Sequence, residues 1–139
     1  MIQPEYSRFD YAEVQPARAQ HVRQMSPDEE RTWGMVSHLV PLAAMVLSAG
    51  VLGFVASVLL YVLVKDRGPF VRQHAASSVN VQIVTGIVLL ISIPLMYLVI
   101  GFVTYGSALV FAFVVHVIGA IKANRGQWYN PPLTPRFVN

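Results

Sequence analysis

The sequence has no cysteine, and two long stretches, residues 32–64 and 73–121, contain no Asp, Glu, Lys or Arg. The first absence excludes disulfides, thiolate metal sites and cysteine nucleophiles. The second argues against a water-soluble domain, in which about a quarter of the residues carry charge. Only 12% do so here, against 55% hydrophobic. Enzyme templates are missing as well: there is no HExxH, no glycine-rich phosphate loop and no GxSxG. No carboxylate lies inside either uncharged stretch, so a proton relay through Asp or Glu is absent. The chain reads as non-enzymatic and without a cofactor. Residues 1–25 lack the apolar core of a signal peptide, and a flexible cytoplasmic tail is expected there.

What is present is apolar length. As one helix, residues 32–64 would be about 50 Å long. Crossing a 30 Å core would need a tilt of roughly 53°, beyond the usual 0–40°. The segment should therefore fold back near Ser48-Ala49-Gly50 and Gly53. The second stretch is longer still, and its break is expected between Pro94 and Gly106, where Gly101, Thr104 and Tyr105 also fall. Four spans result, at roughly residues 32–48, 51–65, 74–95 and 103–122. All ten Lys and Arg then share one side with both termini, which the positive-inside rule makes cytoplasmic. Three spans would lose that asymmetry. The expected fold is all-α: an integral membrane bundle of four short helices (residues 26–126), followed by an extended interfacial tail (127–139). Each arm of the first hairpin is short for a full crossing, so that hairpin is either fully spanning in a thinned bilayer or partly re-entrant. The expected location is the bacterial cytoplasmic (inner) membrane. The net charge of +3 suits loops beside anionic headgroups rather than nucleic acid.

Local signals fill in this outline. Ser26-Pro27-Asp28-Glu29 is a helix start, with Ser26 as cap, Pro27 at the first helical position and Glu29 where a capping box places its carboxylate. Pro41 should kink the first span. Ala49, Gly53 and Ser57 stand at four-residue steps, a small-residue seam for close helix approach. Ala108, Ala112, His116 and Ala120 repeat that spacing later. His74, Ser78, Gln82, Thr85 and Ser92 fall on one face of the third helix, a polar stripe that should face the interior or a wet cavity. Asn80 projects elsewhere and needs a partner on a neighbouring helix or subunit. Gly126 reads as a helix C-cap, and Trp128 and Tyr129 as interfacial anchors.

His38 and His116 lie at matched depths on different helices. Two such imidazoles suit axial haem ligation or a metal. Alternatively, each is neutral and hydrogen-bonded within the bundle. The segments Ser26–Trp33 and His38-Leu39, then Lys65-Asp66, Pro69-Phe70-Val71, His74-Ala75 and Asn80-Val81-Gln82, resemble a bacterial membrane family, domain of unknown function 4870. So do Ile121–Asn124, Gly126, Trp128-Tyr129, Pro132–Thr134 and Arg136-Phe137. The resemblance implies a four-helix bundle distantly similar to the small inner-envelope component of the chloroplast protein-import translocon. The leading functional expectation is an accessory or scaffold subunit of a membrane complex, with lipid and other membrane proteins or further copies of the chain as partners. The alternatives are a translocon-like or channel-like protein whose stripe lines a path, and a haem- or metal-binding redox protein.

Overall fold

A computed structural model describes residues 23–139; most of the expected N-terminal tail lies outside the described residues. Helix α1 (Pro27–Leu47) begins as the sequence pattern dictates. The Ser26 hydroxyl accepts from the Glu29 amide at 3.3 Å, and the Glu29 carboxylate accepts from the Ser26 amide at 2.8 Å. That second bond is the main reason the Glu29 carboxyl titrates below the ordinary glutamate value, with Arg23 adding to the effect. The helix continues through Pro41 to Ser48, whose hydroxyl accepts from the Leu52 amide. Ala49 and Gly50 both take positive φ, at 53° and 108°, and turn the chain into α2 (Val51–Val64). The reversal at 48–50 thus lies at the front of the expected turn. Ala49 belongs to the turn and not to a helical seam; only Gly53 and Ser57 of that trio are buried on α2.

Helix α3 (Pro69–Leu95) is the longest, at 27 residues. Its orphan N-terminal amides meet Glu30, whose carboxylate accepts from the Val71 amide at 2.9 Å, the stabilising position for an anion at a helix start. A single 3-10 turn (Met96–Leu98) then leads to α4 (Ile100–Asn124). The reversal falls inside the expected interval between Pro94 and Gly106. The chain reverses at Val99, φ 63°, while Gly101, Thr104, Tyr105 and Gly106 all lie inside α4. Gly101 is required for contact rather than for turning: a Cβ there would sit 2.2 Å from the Met96 amide nitrogen and 2.3 Å from the Ser92 carbonyl oxygen.

The four helices pack as a bundle in which every sequential pair touches, and α1 also packs on α3 and α4. Its two ends differ in chemistry. At one end the Met25 amide donates to Arg67 O, Glu30 caps α3, and Arg72 donates to Asn139 O. The start of α1, the α2–α3 turn and the C-terminal tail therefore meet at this end. At the other end Tyr105 donates to the Ala49 carbonyl, and Ser92 pairs with Thr104 at 2.7 Å, which ties the two uncharged turns together. Between the ends the outer surface is apolar, with Val51, Leu63, Leu90 and Phe102 all exposed. Helices α3 and α4 are long and apolar enough to cross a membrane, yet only 28% of each one's most apolar window is buried. A core helix of a soluble protein would be mostly covered.

Gly101→Ala should lower the thermal unfolding midpoint of the detergent-solubilised protein by several degrees, because the added methyl meets backbone. Gly106→Ala, which has no neighbour within 4 Å, should leave the midpoint unchanged or raise it slightly through helix propensity. Equal effects would contradict a contact role for Gly101 at the α3–α4 junction.

Candidate functional site

The interior is polar where the exterior is apolar. Three histidines, from three helices, meet in the core and are fully buried. His38 of α1 sits between the other two: its Nδ1 is 3.3 Å from His116 Nδ1 on α4, and its Nε2 is 3.3 Å from His74 Nδ1 on α3. The series extends at both ends. His74 Nε2 lies 3.0 Å from the Gln127 carbonyl oxygen, and His116 Nε2 lies 3.0 Å from the Gln82 amide nitrogen.

These contacts fix the tautomers. The Gln127 carbonyl can only accept, so His74 carries its proton on Nε2, and in a neutral ring its Nδ1 must then accept. His38 therefore donates from Nε2 and accepts at Nδ1. His116 donates from Nδ1 and accepts at Nε2, and Gln82 closes the series with an N–H. All four bonds run in one direction, from Gln82 through His116, His38 and His74 to Gln127, and no ring nitrogen is left unpaired.

Local structure places each member. The end of α4 is a Schellman motif: Gly126 takes φ 69°, its amide donates to Ala123 O, and the Gln127 amide donates to Lys122 O. That turn aims the Gln127 carbonyl back at α3. Glycines make the room. A Cβ at Gly119 would lie 2.5 Å from the His38 ring, one at Gly53 2.7 Å from the Gln82 amide, and one at Gly34 3.5 Å from His74. Phe70 covers His74 with ring centroids 4.6 Å apart, and Trp128 stands edge-on to Phe70 at 5.3 Å.

The other expected residues fall in several places. Ser78 and Thr85 are buried beside Gln82 on α3, and neither hydroxyl has a hydrogen-bond partner. No open route joins His74, Ser78, Gln82 and Thr85; all four are at most 1% exposed. Gln82 borders an apolar groove of about 410 Å³ with Phe54, Ile83, Leu89 and Tyr105 on its walls. Ala108, Ala112 and Ala120 are buried along α4 with His116. Asn80 finds its partner in the chain's own tail rather than on a neighbouring helix or subunit. Its Oδ1 accepts from the Phe137 and Val138 amides at 3.1 and 2.9 Å, and its Nδ2 donates to Val138 O at 2.9 Å. Gln73 and Ser77 both donate to the Tyr129 carbonyl. The Tyr129 hydroxyl is buried without a partner, and burial raises its pKa. The tail is therefore strapped to α3 at two levels.

The contact between His38 and His116 leaves no space for a porphyrin between them, so axial haem ligation does not fit. Because His38 uses a different nitrogen toward each neighbour, the three rings do not converge on one point. Among the described residues no group of three or more His, Asp or Glu forms a metal cluster. Sequence reasoning paired His38 with His116 through matched depth but put His74 in a separate stripe. The role of the Gln127 carbonyl carried no sequence signal beyond Gly126.

An all-helical chain with an apolar exterior and inward-facing polar side chains is a membrane protein. Over residues 29–138 the sequence matches the MamF/MmsF family, the magnetosome magnetite crystal formation proteins, and the chain belongs to that family. This corrects the resemblance to domain of unknown function 4870 and to the chloroplast translocon component. Several of the segments behind that resemblance are helix caps, loop turns and interfacial aromatics, which many short helical membrane bundles need and which do not separate one family from another. No curated protein and no solved structure matches the chain.

His38→Leu removes two of the four bonds and leaves His116 Nδ1–H and His74 Nδ1 unpaired. At about 0.6–1.5 kcal/mol per bond, stability should fall by roughly 1–3 kcal/mol, measured by denaturant unfolding in micelles. A value indistinguishable from wild type would show that the series does not hold the bundle together.

Proposed function

We propose that this chain is a four-span protein of the magnetosome membrane that acts as a non-enzymatic accessory or scaffold subunit in magnetite crystal formation. The observation that carries this reading is that the three imidazoles, Gln82 and Asn80 are spent on one another and on the chain's own tail. No open path and no exposed reactive cluster is left among the described residues. The family description supplies the process. A subunit without its own chemistry contributes by position, through the apolar flank that meets lipid and neighbouring helices and through the charged end that meets water. The charged end, which carries Lys65, Arg67, Arg72, Lys122 and Arg125, is assigned to the cytoplasm by the positive-inside rule. Both hairpins then cross, with the short α2 accommodated by local thinning of the bilayer.

The absence of native cysteine makes topology directly measurable. In right-side-out and inverted vesicles, Ala49→Cys and Tyr97→Cys should react with an impermeant maleimide from one side, and Asp66→Cys and Asn130→Cys from the other. Labelling of Ala49→Cys from the same side as Asp66→Cys would mean that α1 and α2 do not cross, and the four-span arrangement would be wrong.

The functional reading is tested by removing the protein from a magnetite-forming cell and extracting the native protein in mild detergent. Magnetite crystals should change in size or number, and stoichiometric membrane partners should co-purify. Unchanged crystals would sink the role in crystal formation. A protein that runs without partners would sink the accessory reading.

A further inference from the structure

From the tautomer assignment we infer that the Gln82–His116–His38–His74 series is a binding site for a single excess proton shared by three imidazoles. In the neutral state every ring nitrogen is paired, so an added proton needs a new acceptor. The Gln127 end offers none, because its carbonyl is already taken by His74 N–H. The Gln82 end does: a carboxamide presents N–H₂ and C=O from nearly the same shape, so turning the Gln82 amide over replaces a donor with an acceptor. His116 Nε2 then carries the proton and donates to Gln82 Oε1, while the other three bonds stand unchanged. From there the charge moves without any ring turning. Transfer of the Nδ1 proton of His116 to His38 Nδ1 makes His38 the imidazolium, and transfer of the Nε2 proton of His38 to His74 Nδ1 makes His74 the imidazolium. Each step breaks one N–H and forms one N–H across a 3.3 Å contact, and in all three states every ring nitrogen remains paired.

A second proton has no such place. It would set two N–H groups against each other across one of the imidazole–imidazole contacts and put two like charges in a core without a counter-ion. The capacity is one.

The surroundings agree. From the tail, Tyr129 faces His38 with ring centroids 6.2 Å apart, and from α4 Lys122 lies 5.9 Å from the Tyr129 ring centroid. On α1, Glu30 is bonded to the Val71 amide, and Arg31 stands against Gly126. On α3, Arg72 is bonded to Asn139 O. Helix α2 turns Gly53 and Ser57 inward, and neither titrates. Among the described residues no carboxylate touches the imidazoles to hold a permanent charge there, so the stored proton is held by sharing and by the Gln82 carbonyl. At one end of the series Gln127 is exposed, with its carbonyl taken by the His74 N–H. The far end stops at Gln82 beside an apolar groove, which makes the series a store rather than a through-route.

The test is 15N NMR of histidine-labelled full-length protein in lipid nanodiscs, titrated downward in pH. Near neutral pH, His116 should be the Nδ1–H tautomer, and His38 and His74 the Nε2–H tautomer; any other pattern overturns the proposal regardless of how variants behave. On acidification the three rings should shift together over one transition that accounts for one proton. Gln82→Glu should raise the midpoint by about 1–3 pH units through its carboxylate, and Gln82→Leu should lower it. Three separate transitions, uptake of more than one proton, or a midpoint indifferent to residue 82 would each overturn it.

Discussion

The His38 side chain is the contact on which the other helix positions depend. In lipid, helices gain nothing by hiding apolar surface from one another, since the surrounding tails are as apolar as Leu, and association rests on packing and on polar bonds. Beyond its charged first turns, α1 is apolar on most sides from Gly34 to Leu47, and in lipid hydrophobicity alone gives that part no preferred inward face. The imidazole at position 38 supplies one. Its two nitrogens must both be satisfied, one is used on α3 and the other on α4, and this sets both the rotation and the depth of α1. Gly119 and Gly34 then let the three helices approach closely enough for 3.3 Å contacts to form.

Helix α3 carries the consequence, because it is the element enclosed on most sides. Residues 74 to 82 are buried without interruption, which no amphipathic helix with one free face could achieve. One side of α3 meets α1, others meet α2 and α4, and the side left over is covered by the C-terminal tail. The tail stays there because Asn80, Gln73 and Ser77 satisfy its backbone groups, which would otherwise be costly to bury. At its other edge the tail folds over a recess of about 540 Å³ bordered by Lys65, Asp66, Arg72 and Arg136. The tail is thus a fifth packing element without secondary structure.

Much of this was legible in the residues. The helical class, the start at Ser26, the turn at Ser48–Gly50 and the cap at Gly126 each rest on a local rule that leaves a mark in sequence: a hydroxyl before a proline, a break in an apolar run, a glycine after a basic turn. The α3–α4 reversal falls within the expected interval, but Gly101 beside it is not its turn residue, because glycine has two uses. At Gly50 it serves a positive φ, whereas at Gly101 it serves close approach, and spacing does not distinguish them. The partner of Asn80 was sought on another helix because helical periodicity describes helices, and the Val138 backbone that answers it has no side-chain signature. His74 was assigned to a stripe with Ser78 and Thr85, although the geometry joins it instead to His38, on a different helix. The family was misread for a related reason: caps and turns record the demands of a short membrane bundle, and those demands are common.

A polar core closed on itself also constrains how such a protein takes part in a larger process. Here the imidazoles, Gln82 and Asn80 are committed to one another or to the tail. Ser78 and Thr85 keep unpaired hydroxyls, but both are sealed between helices and offer nothing to a visitor. What remains outward is of two kinds. One is an apolar flank interrupted by few polar atoms, suited to lipid and to helices of other membrane proteins. The other is the charged end, where Lys65 and Arg136 make no ion pair among the described residues and the C-terminal tail is bound within reach of water. Charge left unpaired at a membrane boundary is inexpensive, and it can be neutralised by whatever assembles there. The division of labour is therefore spatial: the interior determines the shape, and the flank and the charged end determine where that shape is held.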